Sequence, residues 1–224
     1  MSDTTRKERP ILFSAPMVRA ILAGRKTQTR RIAKAKKQVD LSRFEKASPT
    51  SVREGTVSAS PGPWRFHGDG DEFFVACPYG VPGDRLWVRE SFWNGTNCYT
   101  DPSGEAVSYW TDEVQYLEER SKPGPWSEPY GMNVPWMVKR PSIHMSRRLS
   151  RITLEITGVR VERLNEISEA GAIAEGIPPF ESCPLTPEPK AEFARLWESI
   201  NGPGSWWANP WVWVVEFERM EVSQ

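Results

Sequence analysis

From Arg151 to Leu164 the chain alternates apolar and polar residues almost without a break. Ile152, Leu154 and Ile156 point one way, with Thr153, Glu155 and Thr157 between them. After Gly158 the pattern resumes through Val159, Val161 and Leu164. Period-two alternation of this length describes a half-buried strand, and a glycine in its middle marks a bend or bulge. A long strand that must bend suits a small sheet curling on itself better than a flat, doubly wound one. Trp211-Val212-Trp213-Val214-Val215-Glu216-Phe217 is nearly continuous in apolar character and reads as a central strand.

Further elements fit around these two. Ile11-Leu12-Phe13 is a short buried strand. Ser14 then caps a helix with Pro16 in its first turn, Met17, Ala20 and Ile21 at helical spacing, and Gly24 as its stop. Pro82-Gly83-Asp84 is a turn before the alternating strand Arg85–Glu90. Ser168 caps a short helix carrying Ala172, Ile173 and Ala174, which Gly176 ends. Phe193, Leu196, Trp197 and Ile200 form the apolar stripe of another helix, closed by Asn201-Gly202-Pro203-Gly204. The βαβ alternative lacks both regular crossovers and a glycine-rich phosphate loop. The expected class is therefore α+β: a small mixed β-barrel with flanking helices, a single domain over residues 1–224. Two long loop-rich insertions, about 36–71 and 94–135, are expected from their Ser, Pro, Gly and Trp content.

Composition narrows the function classes. Hydrophobic residues at 38% and charged residues at 26% describe a globular chain. No apolar run approaches the roughly 20 residues of a membrane span, and Met1–Pro10 is polar, so a cytoplasmic protein without a membrane partner is expected. Cys77, Cys98 and Cys183 are too scattered for a zinc site or a disulfide framework and read as reduced thiols; no metal or cofactor is expected. Formal net charge is zero, yet seven basic and no acidic residues lie between Arg25 and Lys37. Lys139, Arg140, Arg147, Arg148 and Arg151 form a second basic group, and convergence of the two would attract phosphate. Most of the eleven tryptophans should be core residues, with a few available for base stacking.

The stretch Ile21-Leu22-Ala23-Gly24-Arg25-Lys26-Thr27-Gln28-Thr29-Arg30-Arg31 holds the chemistry. It resembles the opening signature of ASCH domains, in which a helix ends in Gly-x-Lys and an arginine follows five residues after the lysine. Gly24, Lys26 and Arg31 stand at those positions. The resemblance implies the PUA-like barrel and an association with RNA or modified bases. It is closest to the small ASCH amidohydrolases that deacetylate acetylcytidine, and it implies Lys26, Thr29 and Glu175 as catalytic residues. Glu175 follows from aligning Leu154–Thr157 through Ile167-Ser168-Glu169. Length, Lys139–Arg148, Pro10–Ser14 and Trp87–Glu90 resemble larger phage or prophage relatives. With the triplet go expected substrate contacts from Gly24, Arg25, Arg30, Arg31, His144 and Arg147.

Amide hydrolysis needs a nucleophile, a proton acceptor and a donor for the developing oxyanion. Thr29 can attack or position water. Lys26 can act as a base if its pKa is depressed, or as a cationic donor. Glu175 can activate water, orient Lys26 or shuttle a proton. Residues three apart on a strand face opposite ways, so Lys26 and Thr29 share a site only if the backbone turns between them. Each has an ordinary structural reading as well: a helix-end cation, a strand residue, a solvated helix acid, and for His144 a loop histidine. The expected function is hydrolysis of an N-acyl cytosine amide on a nucleoside or nucleic acid, RNA rather than DNA. The alternatives are a non-catalytic module for RNA or modified bases, a nuclease, or a phage accessory or assembly protein.

Overall fold

The structure is a computed structural model. It describes residues 6–34, 41, 44–49, 63–68, 71–100, 106–116, 134–179 and 188–220, with the backbone alone at 46, 68, 71, 93–100, 106–116 and 134–139. Lys36, Lys37, Trp126 and Cys183, the side chains of Trp93, Cys98, Trp110, Trp136 and Lys139, and much of the two expected insertions lie outside the described residues.

In chain order the elements are β1 (Glu8–Leu12), α1 (Ala15–Leu22), β2 (Gln28–Ile32), β3 (Lys46–Pro49), β4 (Trp64–Gly68), β5 (Asp71–Val75), β6 (Arg85–Arg89), β7 (Phe92–Thr100), β8 (Ala106–Tyr116), β9 (Val134–Arg140), β10 (Thr153–Arg163), α2 (Glu169–Ala174), α3 (Pro189–Asn201) and β11 (Trp211–Arg219). The class is mixed α+β. Its largest sheet has five strands in the order β1-β6-β10-β11-β2. Among the described residues this sheet is open: no strand pairing joins β1 to β2. No helix among them is long and apolar enough to cross a membrane.

Two strands expected from pattern fall where alternation put them. β10 pairs antiparallel with β11, and its register shifts between Ile156 and Gly158. At the bulge a Cβ on Gly158 would lie 2.5 Å from Glu216 Oε2, so a larger residue there would have to push aside the end of the Glu216 side chain. β11 is central, with β10 on one side and β2 on the other, and Val212 to Val215 are fully buried.

The two stretches expected to be loop-rich differ from that reading. Residues 36–71 contain β3, β4 and the start of β5, which form a three-stranded antiparallel sheet. Residues 94–135 contain most of β7, all of β8 and the start of β9, another three-stranded sheet in the order β8-β7-β9. Prolines and glycines around them obscured short alternating runs. Trp64 and Phe66, for example, are buried while Arg65 between them and His67 after them are half-buried.

The chain divides into two compact units: Met1–Arg9 with Ala20–Leu86 and Thr153–Gln224, and Pro10–Arg19 with Trp87–Ile152. In the first, one face of β11 packs Val212 and Val214 against Leu164, Ile167, Ala172, Phe193 and Trp197 beneath α2 and α3. On the other face Trp213 meets Trp64 edge-on, with ring centroids 6.3 Å apart, and Trp211 meets Phe66 at 5.9 Å. In the second unit, Glu90 is buried beneath a two-pronged contact from Arg151, at 3.0 and 3.1 Å. Short 3-10 turns at Ser142–His144 and Arg147–Leu149 follow β9.

Candidate active site

Two helix ends and one strand build the site, all within the first unit. α1 stops at Gly24, whose φ of 71° closes the helix; Arg25 N and Lys26 N then both donate to Ala20 O, at 2.8 and 3.1 Å. α2 is capped by Ser168, which accepts from Gly171 N at 3.0 Å. It ends at Glu175, where Gly176 turns away with φ 97°. A Cβ at Gly176 would meet Ala20 Cβ at 3.0 Å and Lys26 Cβ at 3.2 Å, so the two helix ends can approach only around a glycine. Lys26 and Glu175 pair as an isolated β-bridge, and Thr27 N donates to Ala174 O at 2.9 Å.

The side chains then complete what the backbone begins. Lys26 Nζ donates to Glu175 Oε2 at 2.7 Å and to Glu175 O at 2.9 Å. Glu175 Oε1 accepts from Arg30 Nη1 at 3.2 Å. The side chains are almost wholly removed from solvent: 0% exposed for Lys26, 4% for Glu175 and 2% for Arg30. Burial pushes the Lys26 amine below its ordinary pKa. The charge of Glu175 and its hydrogen bond oppose this, while the positive charges of Arg31 and Arg30 add to the lowering. An amine in this setting gives up its proton more readily than an exposed lysine.

Charge continues outward from the pair in alternating sign. Arg30 also binds Glu162, with Nε donating to Oε1 at 3.1 Å and Nη2 to the same oxygen. Arg160 Nε donates to Glu162 Oε2 at 3.1 Å, and Arg160 Nη1 donates to Glu216. Gln28 Nε2 donates to Gly171 O at 2.8 Å, and its Oε1 accepts from Arg160 Nη2 at 3.4 Å. The sheet register explains the gathering: Gln28 lies opposite Glu216 and Arg30 opposite Val214, and Val214 belongs to the core packed under α2 and α3. Sequence reasoning assigned no role to Glu162, Arg160, Glu216 or Gln28. The alternation of β10 and β11 carried the signal, but only a known register turns it into a contact.

The structure thus joins Lys26 and Glu175 and adds Arg30. Lys26, Gln28 and Arg30 all reach the α2 side, so alternation is kept from the bridge into β2. Thr29 is buried and lies opposite Val215, on the other face of β2. Arg31 shares that face and is half-buried, while Gly24 and Arg25 are exposed at the end of α1. Arg30, expected on substrate, has its guanidinium turned inward between two carboxylates. His144 and Arg147 are exposed on the 3-10 turns of the second unit. Cys77 is a free thiol whose pKa is raised by burial, against hydrogen bonds from the Tyr79 and Gly80 backbone and the charge of Arg9, which makes it a poor nucleophile. Among the described residues no group of three or more His, Cys, Asp or Glu is placed to hold a metal ion.

No family model, no curated protein and no solved structure matches the chain.

Proposed function

We propose that this chain is an ASCH-type domain on a PUA-like barrel, hydrolysing the N-acyl amide of a modified cytosine carried by an RNA-derived base or nucleoside. One observation carries the reading: Lys26 and Glu175, 149 positions apart, meet at 2.7 Å in a desolvated contact. These are two of the three residues that the family resemblance names.

In this reading water is the nucleophile, because the alternation of β2 turns Thr29 away from the pair. Glu175 takes a proton from water as oxygen adds to the acyl carbon, and Lys26 donates to the oxyanion. Collapse breaks the C–N bond, the proton passes to the cytosine amine, and the carboxylic acid and the free base leave. Burial strengthens each electrostatic step by excluding water.

A second reading has its own support. Lys26 has no exposed side-chain surface, and both oxygens of Glu175 are engaged. A closed, fully paired cluster is also what a binding module uses to brace its helix ends. Incubation of the wild-type chain with N4-acetylcytidine, followed by chromatography, separates the two. The expected result is release of cytidine, reduced about 10²- to 10⁴-fold in Lys26→Met and Glu175→Gln. A folded wild-type protein that leaves every N-acyl cytosine intact, yet binds RNA in a salt-dependent way, sinks the hydrolase reading and leaves the module.

A further inference from the structure

We propose that Arg30 is a positioning residue of the Lys26–Glu175 pair: held from behind by Glu162, its guanidinium takes Oε1 of Glu175 and leaves Oε2 to Lys26. The role in turnover rests on the reading above, whereas the geometry does not.

A carboxylate offers about four lone-pair sites and will gather both oxygens around a single cation if nothing else competes. Here Nη1 of Arg30 stands 3.2 Å from Oε1 while Nζ of Lys26 stands 2.7 Å from Oε2, so the two cations divide the group between them. Only a forked donor can do this while keeping a second carboxylate. Nε and Nη2 of Arg30 are both spent on Glu162 Oε1, which leaves Nη1 aimed at Glu175. The guanidinium has little freedom to move: it lies 5.9 Å from the Phe193 ring centroid, and a Cβ at Gly171 would sit 3.4 Å from Nη2. Glu162 is in turn fixed by Arg160, which is anchored on Glu216 and Gln28. Among the described residues, the charged groups that act on Lys26 include Glu175 at the end of α2 and Arg30 and Arg31 on β2, with Glu162 and Arg160 on β10 and Glu216 on β11 behind Arg30.

The consequence is specific to the fork. If Arg30 holds one oxygen away from Lys26, losing that hold gives Lys26 both oxygens and makes it a stronger base. Releasing Arg30 from Glu162 tightens its claim on Glu175 and makes Lys26 a weaker one. General loosening of the core would instead admit water and raise the basicity in every variant.

The test is the titration of the Lys26 side chain, followed by NMR in protein carrying 13C,15N-lysine. The signal is assigned by its loss in Lys26→Met, and folding is checked on the amide spectrum. Arg30→Gln is expected to shift the Lys26 midpoint upward and Glu162→Gln to shift it downward. Arg30→Lys keeps the charge but cannot span two carboxylates, so it too is expected to shift the midpoint upward. A wild-type midpoint in Arg30→Lys reduces Arg30 to a point charge and overturns the proposal, as does an unchanged or lowered midpoint in Arg30→Gln. Should both Arg30 variants fail to fold, Glu162→Asp decides in their place, because it keeps the charge, draws the carboxylate back from the fork and lies at a partly exposed site; it is expected to shift the midpoint downward, and a midpoint that rises or stays put overturns the proposal. The measurement needs no substrate. A wild-type protein inactive on acetylcytidine therefore removes the hydrolase reading and leaves the positioning claim to be judged by the titration.

Discussion

At the scale of single residues, the pair at the two helix ends is costly to half-remove. Replacing Glu175 by alanine leaves the Lys26 amine its bond to the backbone carbonyl of residue 175 but removes its nearest compensating charge, in a site with no exposed side-chain surface and with two arginines still nearby. Breaking one partner of a buried ion pair costs about 3–5 kcal/mol. The loss should depend on pH in a definite sense. The folded Lys26 binds its proton less tightly than the unfolded chain, whose ordinary value is 10.5. Between the lowered pKa and that value the unfolded state therefore holds more protons, and stability rises with pH. Below the lowered pKa the unfavourable contribution is present in full. Removing Glu175 lowers the folded pKa further and widens the window. Urea unfolding at pH 7 and pH 10 should show Glu175→Ala closer to wild type at the higher pH. A gap that widens instead would mean that Lys26 is not the group left uncompensated.

At the scale of elements, α2 carries the site on only six residues, too few to hold themselves helical without help. Its help is the Ser168 cap at one end, Gly176 at the other and the packing of Ala172 into the core. Ser168→Ala should cost about 1 kcal/mol. Because the bridge to Lys26 hangs on the far end of this helix, the change should also weaken protection of the Thr27 amide, which donates to Ala174 O at 2.9 Å. Equilibrium denaturation and amide exchange read the two effects, and an unchanged Thr27 would uncouple the cap from the site. Elements with punctuation at both ends were legible in the sequence: Ser14 and Gly24 around α1, Ser168 and Gly176 around α2, Gly158 within β10. Those lacking it were not. β7 to β9 run through prolines, glycines and tryptophans whose local signal resembles a loop, and only cross-strand pairing, which no short window of sequence contains, makes them a sheet.

At the scale of the whole molecule, the same distinction separates the parts of the site. Lys26 and Glu175 could be nominated from the sequence, Lys26 by the Gly24-x-Lys26 spacing of the family resemblance and Glu175 by the strand-to-helix segment aligned with it. The row Arg30–Glu162–Arg160–Glu216 could not, because its members come from three strands and become neighbours only through the register of β11 with β2 and β10. β11 is thus the element on which the core and the site both depend. It bonds to a neighbour on each side, its residues Val212 to Val215 are fully buried, and one face of it supports the helices while the other supports the aromatic contacts. Amides with these attributes open only when the fold as a whole opens. Native-state hydrogen exchange should therefore place Val212, Val214 and Val215 at the global unfolding free energy, with the amides of β3 and β5, at the edges of their own sheet, exchanging faster. If β11 exchanges as readily as those edges, the sheet opens piecemeal. The buried charges would then rest on local packing around α2 rather than on the strand that sets their register.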